Sequence, residues 1–185
     1  MEYFTKEEMI RCYRERKQDR CSECRLQQAV KRMPDGIDEN MEALVDNVLD
    51  PCRRAYGKPI GVNSGFRCPL HNSRVGGASQ SQHIAGEAAD ITGGSPEENL
   101  KIARIIARQG RFDKMILYVD REGSLESRFI HVSHKRLGGN RHRILKKVNG
   151  DQQYTPVLIA DLIRDLKEIP GQARNEGTAE KGGAS

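Results

Sequence analysis

The sequence of 185 residues contains no tryptophan, and aromatic residues make up only 5% of it. No apolar run approaches the roughly 20 residues that a membrane-spanning helix needs, so membrane insertion is not expected. The N-terminal stretch from Met1 to Cys12 is amphipathic, and it lacks the basic start and apolar segment of a secretory signal. We therefore expect a protein that is synthesised in the cytoplasm, or whose export signal lies outside this sequence.

The chain also lacks the cysteines for a complete disulfide framework, because it has five, an odd number. Cys21 and Cys24 form a C-x-x-C pair, with Cys12 nine residues earlier. No second close pair completes the four ligands of a usual structural zinc site, so reduced and partly buried thiols are the favoured interpretation. The net charge of +5 suits a polyanion, such as nucleic acid or an anionic cell wall. Because the charge is spread along the chain, a solvated surface is favoured over a specific polyanion site.

Helical and strand patterns alternate irregularly along the chain and predict an α+β fold, with a small antiparallel sheet and flanking helices. Thr5 and Glu8 have capping-box spacing and predict a helix over residues 5–31. An apolar helical stripe follows Asp38, and Pro51 is expected to kink or stop that helix. Strands are predicted over residues 60–64, 88–92, 114–119, 129–133 and 143–147. The predicted organisation is an N-terminal helical extension over 1–36, a central domain over 37–150, a C-terminal helix over 151–168 and a disordered tail over 169–185.

The segment from Ser79 to Asp90 is rich in small residues and carries the most informative chemistry. A turn containing Gly86 can bring His83 and Asp90, seven residues apart, to one point. One imidazole and one carboxylate are natural zinc ligands, and His131 on a buried strand is a candidate for the third. His131 and His134 point to opposite faces of that strand, so they should not bind the same ion.

These residues resemble a known family. The pattern Ser81-x-His83-x-x-Gly86-x-Ala88-x-Asp90, followed by His131-Val132-Ser133, is similar to the D-Ala-D-Ala carboxypeptidase (VanY-like) family of zinc metallopeptidases. That family includes phage endolysins that cut L-Ala-D-Glu bonds, and the hedgehog signalling domain shares its fold. The resemblance covers about residues 41–147. Supporting matches lie at residues 58–60, 63–67 and 112–116.

The resemblance implies that Zn²⁺ is held by His83, Asp90 and His131, with a fourth position left for water. Zinc lowers the pKa of that water and polarises the scissile carbonyl, so the implied activity is hydrolysis of peptide bonds. Arg67 also matches a family position. Its guanidinium can grip a carboxylate through two parallel hydrogen bonds, so we interpret it as a substrate-binding residue. Ser64 and Ser81 are candidates for orienting roles.

The general base is the least defined part of the pattern. Such a reaction needs a carboxylate near the activated water, and Glu126, five residues before His131, is our prediction. Asp120 and Glu122 in the same loop are rivals. Tyr118 is an alternative group for stabilising the oxyanion. His71 and His142 lack motif support and are interpreted as surface residues.

The favoured function is therefore a zinc-dependent peptidase that hydrolyses peptide bonds of bacterial peptidoglycan stem peptides, of carboxypeptidase or endolysin type. We expect a monomer without a nucleic-acid partner that acts on the cell wall, after phage-type release in the endolysin case. A second interpretation is a catalytically weak or inactive zinc-containing module that binds the cell wall. A third is a basic nucleic-acid-binding protein with zinc at the N-terminal cysteines, although no nucleic-acid motif or aromatic stacking pattern is found.

Overall fold

The computed structural model of the protein describes residues 1–11 and 35–164. Helix α1 spans Lys6–Ile10, and Thr5 and Glu8 form the predicted capping box at its start. The rest of the helix predicted over residues 5–31 lies outside the described residues, as do the N-terminal cysteines and the predicted tail. Phe4 and Met9 are buried in the same core as the sheet. The first residues therefore pack against the central fold, while the domain boundaries stay predictions.

The apolar stripe after Gly36 forms one long helical segment. It consists of α2 (Ile37–Leu44), a π-helical turn (Val45–Leu49) and α3 (Asp50–Tyr56). Of the two outcomes predicted at Pro51, a kink or a stop, the stop is wrong, because the helix continues to Tyr56. Pro51 has no N–H and its ring crowds the preceding turn, and the wider π turn just before it accommodates both effects.

The six strands form a single mixed sheet in the order β1-β2-β4-β3-β5-β6. All neighbouring pairs are antiparallel except β3 and β5. This arrangement confirms the α+β prediction, with one parallel pair added to the expected antiparallel sheet. The strands span Gly61–Ser64 (β1), Ala88–Thr92 (β2), Lys114–Val119 (β3), Ser127–Ser133 (β4), Arg143–Val148 (β5) and Thr155–Pro156 (β6).

The two faces of the sheet differ in character because side chains alternate along each strand. One face is apolar and fully buried, and it carries for example Ile91, Ile130 and Leu117. Helix α5 (Pro96–Gln109) lies against this face and contributes Ile102 and Ile106 to the core. The opposite face carries polar groups, and it forms the floor of a cleft.

Two short helices complete the described fold. Helix α4 (Pro69–Arg74) follows β1, and helix α6 (Ile159–Ile163) follows β6. The helix predicted near the C-terminus is therefore shorter than expected within the described part, since residues 155–156 pair with β5 instead. Over the described residues, no helix is both long and apolar enough to span a membrane.

Candidate metal centre

An open cleft of about 700 Å³ lies over the polar face of the sheet. Its floor is formed by side chains from β2, β3 and β4, including Asp90, Ile116 and His131. The loop before β2 and the segment after β1 form one wall, and residues of β5 and the loop that follows it form the other. A volume of this size is typical of sites that bind small molecules or short peptides.

Asp90 and His131 face each other on neighbouring antiparallel strands. They are direct register partners in the β2–β4 ladder, which places both side chains on the same face of the sheet. His131 Nδ1 lies 3.0 Å from Asp90 Oδ1. The pairing of two strands, and not a local motif, therefore brings these two groups together across 41 residues of sequence.

His83 reaches the same point from the loop before β2. Its Nδ1 donates to the carbonyl oxygen of Gly65 at 2.7 Å, because a carbonyl can only accept, and this leaves Nε2 with a free lone pair. Gly86 has a φ of +71° in the turn that returns the chain to β2. A Cβ there would come within 2.8 Å of the Ile37 carbonyl oxygen, so this turn requires glycine.

The three side chains converge tightly. His83 Nε2 lies 3.2 Å from Asp90 Oδ1 and 3.1 Å from His131 Nδ1. The three residues form the group of potential metal ligands found among the described residues. Tetrahedral coordination at about 2.0–2.1 Å places donor atoms roughly 3.3 Å apart, so the observed spacing fits a zinc ion. Two imidazoles and one carboxylate also match the usual donors of catalytic zinc sites.

The electrostatics of the cluster suit metal binding. His83, Asp90 and His131 are only 2%, 8% and 7% exposed. Burial tends to raise the pKa of Asp90, but hydrogen bonds with His131 and His83 outweigh it and hold that pKa well below its usual range. Burial lowers the pKa of His131. At neutral pH the cluster therefore offers a carboxylate and a neutral imidazole, which are the forms that bind metals.

Arg67 and Ser64 lie beside the cluster and line the cleft. Arg67 Nε donates to Ser64 Oγ at 2.8 Å, and its guanidinium also pairs with Asp90 Oδ2. Ser81 lines the cleft as well, and its Oγ accepts a long hydrogen bond of 3.4 Å from the amide of His83. The structure thus brings together the three predicted ligands and the three predicted substrate-binding residues.

The predicted general base is not brought to this cluster. Glu126 is exposed, and it is not among the residues that line the cleft. Its rivals are engaged elsewhere, since Asp120 pairs with Arg128 and Glu122 pairs with Lys146. Among the described residues, Asp90 is the sole carboxylate that lines the cleft. The position of Glu126 therefore does not support its assignment as the base.

Several residues of the cleft were not predicted from sequence. His71 was expected at the surface, but it is buried and lines the cleft, because α4 folds back over the site. His142 is exposed as expected. Lys114, Lys147 and Tyr154 also line the cleft. Lys114 could have been predicted from the sequence. Side chains alternate between the two faces of β3, so Lys114, two residues before Ile116, lies on the same face as Ile116.

A buried two-histidine, one-carboxylate cluster at the floor of an open cleft defines a class of metal-binding α+β domain. Comparison with known sequences identifies a family within this class. The Peptidase M15 family model matches residues 2–133, well over half of the chain. The chain belongs to the Peptidase M15 family.

A curated relative shares a shorter region. The zinc D-Ala-D-Ala carboxypeptidase of Streptomyces albus G is 56% identical over 48 residues. The match covers 25% of this chain and 19% of that enzyme. Because it spans less than a fifth of the relative, the match supports the family and leaves the cleaved bond open.

Proposed function

We propose that this protein is a zinc-dependent peptidase that hydrolyses peptide bonds of bacterial peptidoglycan stem peptides. The observation that carries the proposal is the cluster of His83, Asp90 and His131, whose donor atoms lie 3.0–3.2 Å apart at the floor of an open cleft in a Peptidase M15 chain. The name of the Streptomyces relative supports both zinc and a D-Ala-D-Ala substrate. The proposal includes cleavage of either the carboxypeptidase or the endolysin type.

His83, Asp90 and His131 would hold the zinc ion through Nε2, Oδ1 and Nδ1. When bound, zinc supplies a Lewis acid that acidifies a water and polarises the scissile carbonyl. Asp90 is oriented for this role from its other side, since Oδ2 is held by Arg67. His83 is oriented by the Gly65 carbonyl, which is the arrangement that fixes the tautomer of a metal-binding histidine.

Arg67 would bind a substrate carboxylate next to the metal cluster. It lines the cleft and is fixed by Ser64, so its remaining N–H groups are presented in a defined direction. Tyr118 also lines the cleft. Burial raises the pKa of Tyr118, so its hydroxyl stays protonated and can donate to a developing negative charge.

A weak or inactive cell-wall-binding module is the second candidate. One observation favours it: apart from Asp90, no carboxylate among the described residues lines the cleft. A peptidase of this type normally places a base near the reacting water. In either case we propose a monomer that acts on the cell wall, reached by phage-type release if the protein is an endolysin.

The decisive experiment measures metal content and hydrolysis together. The purified protein is analysed for zinc and incubated with peptidoglycan fragments, and the products are read by mass. We expect about one zinc per chain and one defined stem-peptide bond cut, with the cut lost on chelation. Zinc without cleavage would favour the binding module.

The ligand assignment is tested by three variants: His83→Ala, Asp90→Ala and His131→Ala. Each should lose zinc and cleavage, because two remaining ligands bind the ion poorly. The matched control is His142→Asn, since His142 is exposed and has a φ of 53°, which asparagine tolerates. Full zinc occupancy in all three variants would refute the assignment.

A further inference from the structure

The wall of the cleft that faces away from Arg67 is built from cations and phenols. Lys147 lies on β5, and Tyr154 follows in the loop that leads to β6. Lys147 Nζ sits 4.9 Å from the centre of the Tyr154 ring. Tyr118 stacks on Phe129 with ring centres 4.4 Å apart. Lys147 therefore lies against the Tyr154 ring, and Tyr118 lies against the Phe129 ring.

Lys114, at the start of β3, adds a second cation to the floor of the same cleft, four residues along the β3–β5 ladder from the level of Lys147. It lines the same cleft and is half-buried, and burial lowers its pKa. Within the described part of the chain, neither Lys114 nor Lys147 forms a salt bridge. Since Asp90 is already shared by two histidines and Arg67, the cleft has positive charge that its own described residues do not balance.

The two sources of positive charge lie on opposite sides of the metal cluster. Arg67 follows β1, whereas Lys147 is on β5, and the strand order places β2, β4 and β3 between them. The β5 strand is two strands from His131 on β4, about 10 Å at the backbone. That distance corresponds to about three residues of an extended peptide.

We propose that Lys147, assisted by the Tyr154 hydroxyl, binds a second carboxylate of the peptide substrate, two or three residues from the cleaved bond and opposite the carboxylate held by Arg67. The inference rests on the proposed peptidase function and narrows its substrate class to peptides with two separated carboxylates. It also assigns this selectivity to residues beyond 133, where the match to the family model ends.

The test uses two synthetic peptides that differ in one group. Both carry the cleavable bond and a terminal carboxylate, and both contain a γ-linked glutamate whose α-carboxyl is free in one peptide and a neutral carboxamide in the other. Wild-type, zinc-loaded protein should bind the carboxylate form more tightly. In Lys147→Met the KM and Kd for that form should rise about tenfold, because a hydrogen bond to a charged group is lost. The values for the carboxamide form should stay unchanged, and Tyr154→Phe should show a smaller effect of the same kind.

Lys146→Met is the matched control. Lys146 is the next residue on β5, it pairs with Glu122, and it does not line the cleft. The control changes the net charge equally and should leave the preference between the two peptides unaltered. The proposal is overturned if wild type and Lys147→Met prefer the carboxylate peptide to the same extent. It is also overturned if Lys146→Met loses this preference as much as Lys147→Met does.

Direct binding measurements test the second carboxylate site separately from the proposed peptidase function. If the wild type cleaves neither peptide, yet binds the carboxylate form more tightly in a Lys147-dependent manner, then the peptidase function fails and the carboxylate site stands. If cleavage occurs without any discrimination between the peptides, the peptidase function stands and the carboxylate site fails.

Discussion

At the scale of single residues, the two oxygens of Asp90 have separate tasks. Oδ1 faces the two histidines, and Oδ2 is held by Arg67. A carboxylate held on both sides loses little freedom when a metal binds, so the site is largely organised in advance. The same arrangement leaves Asp90 unsuitable as the base that accepts a proton from water.

The first prediction concerns Glu126. Because this side chain is exposed and does not line the cleft, we expect Glu126→Gln to keep zinc and most of its turnover. Turnover is measured under saturating substrate, with Tyr118→Phe examined in parallel as a variant inside the cleft. A drop of about 10²-fold or more in Glu126→Gln with zinc retained would support the sequence-based assignment instead.

At the scale of secondary-structure elements, the site depends on an N-terminal contact that is distant in sequence. The amide of Phe66 donates to the Met9 carbonyl at 2.7 Å, and the neighbouring Gly65 supplies the carbonyl that orients His83. A Cβ on Gly65 would come 2.1 Å from the Met9 oxygen. Helix α1 therefore fixes the segment that positions a metal ligand.

We expect Gly65→Ala to lower stability by about 1–3 kcal/mol, as overpacking typically does. It should also weaken zinc binding, because the His83 acceptor is displaced. Thermal unfolding and zinc titration measure the two effects. Gly61→Ala at the start of β1, the strand that Gly65 follows, is the control, since its Cβ would meet Thr92 at an ordinary 3.5 Å. Unaltered zinc affinity in Gly65→Ala would contradict the link between Met9 and His83.

Asp113 supports the other side of the His83 loop. This buried carboxylate accepts from Arg141 Nε at 2.8 Å and from Gln82 Nε2 at 3.0 Å. Burial tends to raise the pKa of Asp113, but the hydrogen bonds from Arg141 and Gln82 outweigh it and lower the pKa to about 2. Because the pKa in the folded state is depressed, the stabilisation is complete above the usual value near 4 and is lost as the pH falls toward 2.

Asp113→Asn should therefore lower stability at pH 7 by about 1–3 kcal/mol, the usual cost of breaking a buried charged network. The difference from wild type should shrink between pH 4 and pH 2, where wild-type Asp113 becomes protonated. Denaturant unfolding of the metal-free protein across this range provides the measurement. A difference that is constant with pH would show that the charge of Asp113 is not the stabilising feature.

The sequence predicted much of this architecture because its signals are local. Strands β2 and β3 match their predicted bounds of 88–92 and 114–119. The continuation of the helix past Pro51 was not predictable, since the π turn depends on local backbone accommodation. The burial of His71 and the contact between Met9 and Gly65 were also missed. Both arise from tertiary packing of distant segments, which periodicity does not encode.

At the scale of the whole molecule, the metal site joins segments that lie far apart in the chain. Its ligands span residues 83–131, and their support reaches back to Met9. A site of this kind exists only in the folded state, so metal binding stabilises the fold. Free zinc at a thousand times its Kd adds about 4 kcal/mol of stability.

We therefore expect zinc to raise the Tm by about 10 °C, using the usual scaling for a chain of this size. Calorimetry with zinc and with a chelator measures the shift. His83→Ala provides the control, because it should show a shift near zero. An equal shift in that variant would place the stabilising ion elsewhere in the molecule.

The two walls of the cleft are formed by different stretches of the chain. The metal ligands lie before residue 134, whereas Lys147 and Tyr154 come later, on β5 and the turn that follows it. If the proposed roles are correct, mutation in the later stretch can change the substrate preference without disturbing the groups to which we assign hydrolysis. In an evolving lineage, or in a laboratory library randomised at 147 and 154, recognition could diverge while the reaction itself is inherited unchanged.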